Sequence, residues 1–260
     1  KGANQAVAAA RAGAGVAFVG CVGDDAFGRE RVAGLAAEGI DVSGLRTVPG
    51  ESTGTALIVI DQATAENQIT VASGANLMVS QEDVERIDFA RFGAVVLQLE
   101  IPVETVKAAL VRARAAGCAT ILNPAPAAPL GRDLLALVDV LIPNEHELAL
   151  LAGADSGQAE GIASLRALGV GAVIVTRGAR GALVADGSRA EEIPAVPVTA
   201  VDTVGAGDCF VGGLAAMLAA GRTLHEAVDY ARHAAAAAVT RHGAQTAMPQ
   251  HAEVTEMMRR

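Results

Sequence analysis

Cysteine is scarce in this chain and never paired in sequence. Cys21, Cys118 and Cys209 are odd in number, far apart and without a C-x-x-C spacing, so neither a disulfide framework nor a thiolate zinc site is expected. Clusters of basic residues are missing as well. With a formal net charge of −9 over 260 residues, the chain offers no electrostatic footprint for nucleic acid and none for an anionic membrane surface. No apolar run is long enough to span a membrane or is placed as a signal peptide. There is no Walker A sequence, and Gly169-Val170-Gly171 precedes an expected strand instead of following one, which excludes a dinucleotide fingerprint. His146, His225, His233, His242 and His251 lack zinc-ligand spacing. These absences leave a small-molecule protein, soluble and at home in a reducing cytoplasm, as the expectation.

An apolar fraction of 52% is ample for a substantial core. The patterning that carries it is a β/α rhythm. An alanine-rich helix is expected over 3–13, a short buried strand over 16–20, and a helix capped by Asp24 or Asp25 that runs to about Glu38 and leaves through Gly39. The period then changes: runs at 55–60 and 67–72 flank a polar connection, which is a hairpin pattern. From Ser80, placed with Asp83 as a capping box, the alternation resumes with strands at 94–97, 120–122, 138–142 and 172–176 and helices between them. The fold class expected is α/β, a mostly parallel sheet sandwiched by helices in three layers, with a small β lid over 52–73. Nothing marks a second independent domain within 1–260.

The richest segment is Ala200-Val201-Asp202-Thr203-Val204-Gly205-Ala206-Gly207-Asp208-Cys209-Phe210-Val211-Gly212-Gly213. Small residues at 205–207 let backbone N–H groups converge on an anion, and the helix that follows adds the positive end of its dipole. Asp208 sits where a substrate hydroxyl would meet a phosphoryl group. On spacing alone, an ordinary strand-turn-helix connection with an acidic cap is an equal reading.

This segment resembles the second signature of the ribokinase family of sugar kinases. Lys1-Gly2-Ala3-Asn4-Gln5 and Val22-Gly23-Asp24-Asp25-Ala26-Phe27-Gly28 resemble the first. Leu97-Gln98-Leu99-Glu100, Asn123-Pro124-Ala125-Pro126-Ala127, Pro143-Asn144-Glu145-His146-Glu147 and Val239-Thr240-Arg241-His242-Gly243-Ala244-Gln245 extend the resemblance over essentially the whole chain.

The resemblance implies ATP-dependent phosphorylation of D-ribose at O5, with magnesium required and potassium as activator. It assigns the general base to Asp208 and the anion hole to Gly205, Ala206 and Gly207. Lys1, Gly2, Asn4 and Glu100 fall to the sugar, and Asn144, Thr176, Gly178, Gly181, Gly207 and Arg232 to the nucleotide. Asn144 and Glu147, one helical turn apart, would organise magnesium largely through water. Asp202 and the carbonyls of Val204, Ala238, Arg241 and Gly243 map to potassium, although Ala247 stands where ribokinases commonly present a serine oxygen. Arg232 stands where many relatives have Asn or His. The family also implies homodimers formed through the lid, and an upstream segment carrying the first core strand, part of the lid and further sugar ligands; Lys1 lies inside the first signature. Cys209 reads as a small helix residue whose closeness to the anion hole makes alkylation a route to inhibition. A kinase of another sugar or nucleoside, or a catalytically silent binding protein, remains open at this point.

Overall fold

The computed structural model describes residues 1–60, 67–153, 157–187 and 189–260. The chain opens with α1 (Gly2–Arg11), β1 (Ala17–Gly23), α2 (Ala26–Ala37) and β2 (Asp41–Val48). Asp25 is the residue that caps α2, its side chain accepting from Gly28 N at 2.7 Å, and Gly39 supplies the left-handed exit at φ 77°. β1 and β2 pair in parallel as a sheet of their own. The hairpin follows as β3 (Thr55–Ile60) and β4 (Asn67–Ala72), antiparallel and a separate two-stranded sheet. Its polar connection lies outside the described residues.

The main body runs α3 (Gln81–Glu85), β5 (Ala94–Leu97), α4 (Val103–Ala115), β6 (Ala119–Leu122), α5 (Arg132–Leu135), β7 (Val140–Leu141), α6 (Glu145–Ala152), α7 (Gln158–Ala167), β8 (Ala172–Thr176), β9 (Ala182–Asp186), β10 (Arg189–Ile193), α8 (Ala206–Ala219), α9 (Leu224–Ala238) and α10 (His251–Met258). Strands β5 to β8 are parallel neighbours; β9 and β10 are added antiparallel, in the order β10-β9-β8-β7-β6-β5. The Ser80–Asp83 capping box is present at the start of α3.

Adjacent residues on these strands enter different cores, as a period of two requires. Leu122, Leu141, Val173 and Val175 pack with Val106 and Leu110 of α4 and Leu165 of α7. Ile121, Val140 and Ile174 pack with Phe210 and Leu214 of α8 and Val228 of α9. Helices therefore cover both faces, which is why the strands read as continuous apolar runs.

Three strands escape sequence reading. β10, Arg-Ala-Glu-Glu-Ile, is exposed along most of its length; as an edge strand it is set by its pairing with β9, not by an apolar pattern. β9 hides behind the glycines at 178 and 181, and β2 is mostly polar with a central glycine. β7 is shorter than the expected 138–142, but Asp139 N and Ile142 N still donate to Thr120 O and Leu122 O, so the extended run is preserved.

The packing of α1 onto α8 positions the site. It depends on Gly212, where a Cβ would lie 2.3 Å from Gln5 O and 2.6 Å from Ala8 Cβ. Alanines of α1 complete this contact in a third cluster with Cys209, Ala216 and Tyr230. Close approach of two helix backbones is what a glycine at that position permits.

Candidate active site

A polar cavity lies at the carboxyl ends of β6, β7 and β8, where an open α/β sheet places its ligands. Asn123, Asn144 and Thr176 line it from those strand ends; Gly205, Gly207 and Asp208 line it from the start of α8, and Lys1 and Glu147 complete it. Thr176 and Asn144 are also joined by a parallel bridge.

The entrance to α8 is built for an anion. Gly205 occupies the N-cap with φ 77° and no side chain to cap the helix, so the first-turn amides receive no side-chain cap. Ala206 N turns back to Thr203 O at 3.2 Å. The amides of Gly207 and Asp208 donate to no acceptor among the described residues. The turn itself uses the Ala206 amide, while the Gly205 amide, like those of Gly207 and Asp208, meets no acceptor among the described residues.

Asp208 is half-buried and held by α1. Asn4 Nδ2 donates to its Oδ2 at 2.9 Å and Gln5 Nε2 to its Oδ1 at 3.0 Å. Gln5, only 2% exposed, also donates to Asn123 Oδ1 and accepts from Gln98 Nε2. Gln5 and Gln98 went unassigned from sequence. A lone glutamine among the alanines of α1 was the available signal, since a buried amide must find partners.

Beside α1, Lys1 N donates to Glu100 Oε2 at 2.9 Å. A Cβ on Gly2 would lie 2.8 Å from Gln98 Oε1. Lys1, Gly2, Asn4 and Glu100 are thus joined through α1 and the turn after β5.

At the end of β7, Asn144 and Glu147 form a reciprocal capping box for α6: Asn144 N donates to Glu147 Oε2 and Glu147 N to Asn144 Oδ1, both at 2.8 Å. Burial pushes the Glu147 carboxyl up from its ordinary value; the negative Asp208 adds to this, while the Asn144 amide and the charges of Lys1 and His146 oppose it. Gly178 has φ 56° with open space above it. Gly181 has a structural reason for being glycine, a Cβ there falling 2.0 Å from Ile193 O. Arg232 lies outside the residues lining the cavity; its guanidinium donates to Asp229 Oδ1 and Pro194 O.

Asp202 ties two loops together, accepting from Val204 N and Gly243 N at 2.9 Å each. That brings Val204 and Gly243 to one carboxylate, while Ala238 O accepts from Arg241 N. Ala247 is buried and offers no side-chain oxygen. No group of three or more His, Cys, Asp or Glu suited to a metal occurs among the described residues.

Cys209 corrects one expectation. It is 2% exposed, and burial pushes its thiol up to about 12, so it is neither a thiolate nor open to alkylation.

The model of the pfkB family of carbohydrate kinases matches residues 1–251. The chain is 40% identical to the ribokinase of Haemophilus influenzae, over 99% of this chain and 86% of that protein. It is 37% identical to a deoxyribokinase of Salmonella typhi over the same shares. Its fold superposes on Thermotoga maritima ribokinase with a TM-score of 0.90 at 33% identity, covering 100% of this chain and 86% of the other. Arabidopsis thaliana ribokinase complexed with ribose and ATP gives a TM-score of 0.91 at 30% identity, with the same coverage. A cavity at the sheet's carboxyl edge, a glycine-capped helix and an aspartate at its third residue thus sit in a chain whose whole length follows one family, and the chain belongs to the pfkB family of carbohydrate kinases.

Proposed function

We propose that this chain transfers the γ-phosphoryl group of ATP to O5 of D-ribose, giving D-ribose 5-phosphate and ADP. The observation that carries the reading is Asp208 in the first turn of α8, lining the cavity beside amides that meet no acceptor among the described residues. Its carboxylate takes the proton of the 5-hydroxyl as that oxygen bonds to phosphorus. The Gly207 and Asp208 amides, with the α8 dipole behind them, receive the charge that builds on the transferred group. Gly205 and Ala206 shape that turn. Lys1, Gly2, Asn4 and Glu100 hold the sugar, and Asn144, Thr176, Gly178 and Gly181 border the nucleotide, with Arg232 at its far end.

The donor set suits magnesium. Glu147 and Asp208 are two carboxylates on one cavity, and the Glu147 carboxyl is buried at a cost that a cation would offset. Magnesium, held through water by Asn144 and Glu147, supplies charge neutralisation of the phosphates. We assign potassium to the loop pair at Asp202, with Val204, Ala238, Arg241 and Gly243 contributing carbonyls; without a hydroxyl at Ala247 the set is one oxygen poorer. No helix among the described residues is long and apolar enough to cross a membrane, and we place the protein in the cytoplasm with ATP. The hairpin leaves Leu57 67% and Val71 55% exposed, which suits burial against a second copy in a homodimer.

ADP release with D-ribose, ATP, magnesium and potassium tests the proposal. Turnover on ribose that disappears in Asp208→Asn supports it. Turnover confined to 2-deoxy-D-ribose selects the deoxyribokinase reading, and binding without ADP release with either sugar overturns a kinase altogether.

A further inference from the structure

We infer that two directional chains of side-chain amides lock the carboxylate of Asp208, and that Gln5 and Gln245 are positioning residues for that base; the inference rests on the reading of Asp208 given above. A carboxylate only accepts hydrogen bonds, so each amide touching it must present nitrogen. Gln5 does so to Oδ1, which obliges its own oxygen to find a donor, Gln98 Nε2 at 2.6 Å. The second N–H of Gln5 goes to Asn123 Oδ1 at 3.0 Å, and the Asn123 nitrogen is in turn committed to Ile142 O at 2.8 Å. On the other side, Asn4 gives its nitrogen to Oδ2, so its oxygen accepts from Gln245 Nε2 at 3.0 Å. The Gln245 oxygen then accepts from Arg31 at 2.9 Å.

The second chain begins at a group that can only donate and ends at one that can only accept. Every amide between them has one allowed orientation, and turning any of them breaks two bonds and sets oxygen against oxygen. Gln245 is held at its backbone too, because Arg11 donates to Gln245 O and Met248 O at 2.8 Å each. Both carboxylate oxygens are therefore fixed from different parts of the chain, α1 directly and the 244–248 loop through Asn4. Gln245 is not among the residues lining the cavity and reaches the base only through Asn4.

Misplacing a reacting group by about 1 Å costs about 10²-fold in rate. Gln5→Met removes the donors at nearly constant length, and kcat is expected to fall about 10- to 100-fold with the KM for ribose and for ATP within about threefold. Gln245→Glu is the sharper test, because it keeps the partner of Arg31 and the size of the side chain. It presents oxygen to Asn4, which must then turn its own oxygen toward Asp208. The expected result is a kcat about tenfold or more below wild type, and below that of Gln245→Met. A merely structural Gln245 predicts full activity in Gln245→Glu. Wild-type kcat in that variant overturns the inference, as does a loss confined to the KM for ribose, which would leave Asn4 serving the sugar alone. Asp208→Asn, measured alongside, separates the two failures. If it stays active the base assignment falls; if it is dead while Gln245→Glu turns over normally, only the positioning chains fall.

Discussion

Asp83 and Asp208 occupy the same place in their helices, the third residue after the cap, and the molecule treats them in opposite ways. At α3 the Asp83 carboxylate folds back on its own helix, accepting from Ser80 N at 3.0 Å. It also accepts from both Nε and a terminal nitrogen of Arg46, at 3.1 and 2.9 Å. The Arg46 guanidinium holds its carboxyl down at about 2 despite burial. At α8 the cap is a glycine, the Gly207 and Asp208 amides meet no acceptor among the described residues, and the carboxylate is held by neutral amides of Asn4 and Gln5. A guanidinium fixes a carboxylate and weakens it as a base; the amides of Asn4 and Gln5 fix one without bringing a charge. On the proposed function, the holder separates an aspartate that builds from one assigned to react.

Exchanging each for asparagine should cross over. Asp208→Asn is expected to lower kcat about 10³-fold, with a melting-temperature loss smaller than that of Asp83→Asn because its amide end meets a neutral amide and not a guanidinium. Asp83→Asn should leave kcat within about twofold but cost about 2 kcal/mol, since one amide end then faces a guanidinium. Calorimetry and steady-state kinetics on both proteins check this, and similar losses of activity in the two would abolish the distinction. The acid limb follows in sign. A depressed carboxyl contributes stability that is complete above the ordinary aspartate value near 4 and is lost as pH falls toward about 2. Wild type should therefore lose stability in that window more steeply than Asp83→Asn.

Glu147 sharpens the comparison from between the two. It caps α6 as Asp83 caps α3, yet burial pushes it up and no guanidinium compensates. Glu147→Gln keeps an oxygen for the Asn144 amide and removes the buried charge. We expect a higher melting temperature without magnesium, together with a kcat at least about tenfold lower. A lower melting temperature with full activity would make Glu147 a cap and nothing more.

The same contrast explains what could be read in the sequence. The parallel strands, their helices and the hairpin were legible because apolar periodicity is written locally. The glycine turn before Asp208 and the one-turn spacing of Asn144 and Glu147 are written in short segments, whereas the roles of Asn4, Asn144 and Glu147 rest on the family resemblance. Gln5, Gln98 and Gln245 were not legible, since their roles arise only when α1, the turn after β5 and the 244–248 loop meet, across separations of up to 241 residues. β10 was missed for a related reason, its strand state being imposed by β9.

The smallest effect is expected at the root of the hairpin, where Asp25 both caps α2 and holds Thr53. Asp25 caps α2 and also accepts from Thr53 Oγ1 at 2.6 Å and Thr53 N at 2.7 Å, while Gly23 N donates to the same hydroxyl at 3.0 Å. The two legs of the hairpin cross immediately beyond, at Gly54 and Gly74, where a Cβ would fall 2.6 Å from Ser73 O and 2.3 Å from Ser52 O. Thr53→Val keeps the shape and removes both hydroxyl bonds, which should cost about 1–2 kcal/mol. If the hairpin closes over the sugar, as the lid reading holds, the KM for ribose should rise about two- to fivefold with kcat little changed, and Thr53→Ser should restore it. A melting-temperature loss with an unchanged KM would separate the hairpin root from substrate binding and leave Asp25 on the structural side with Asp83.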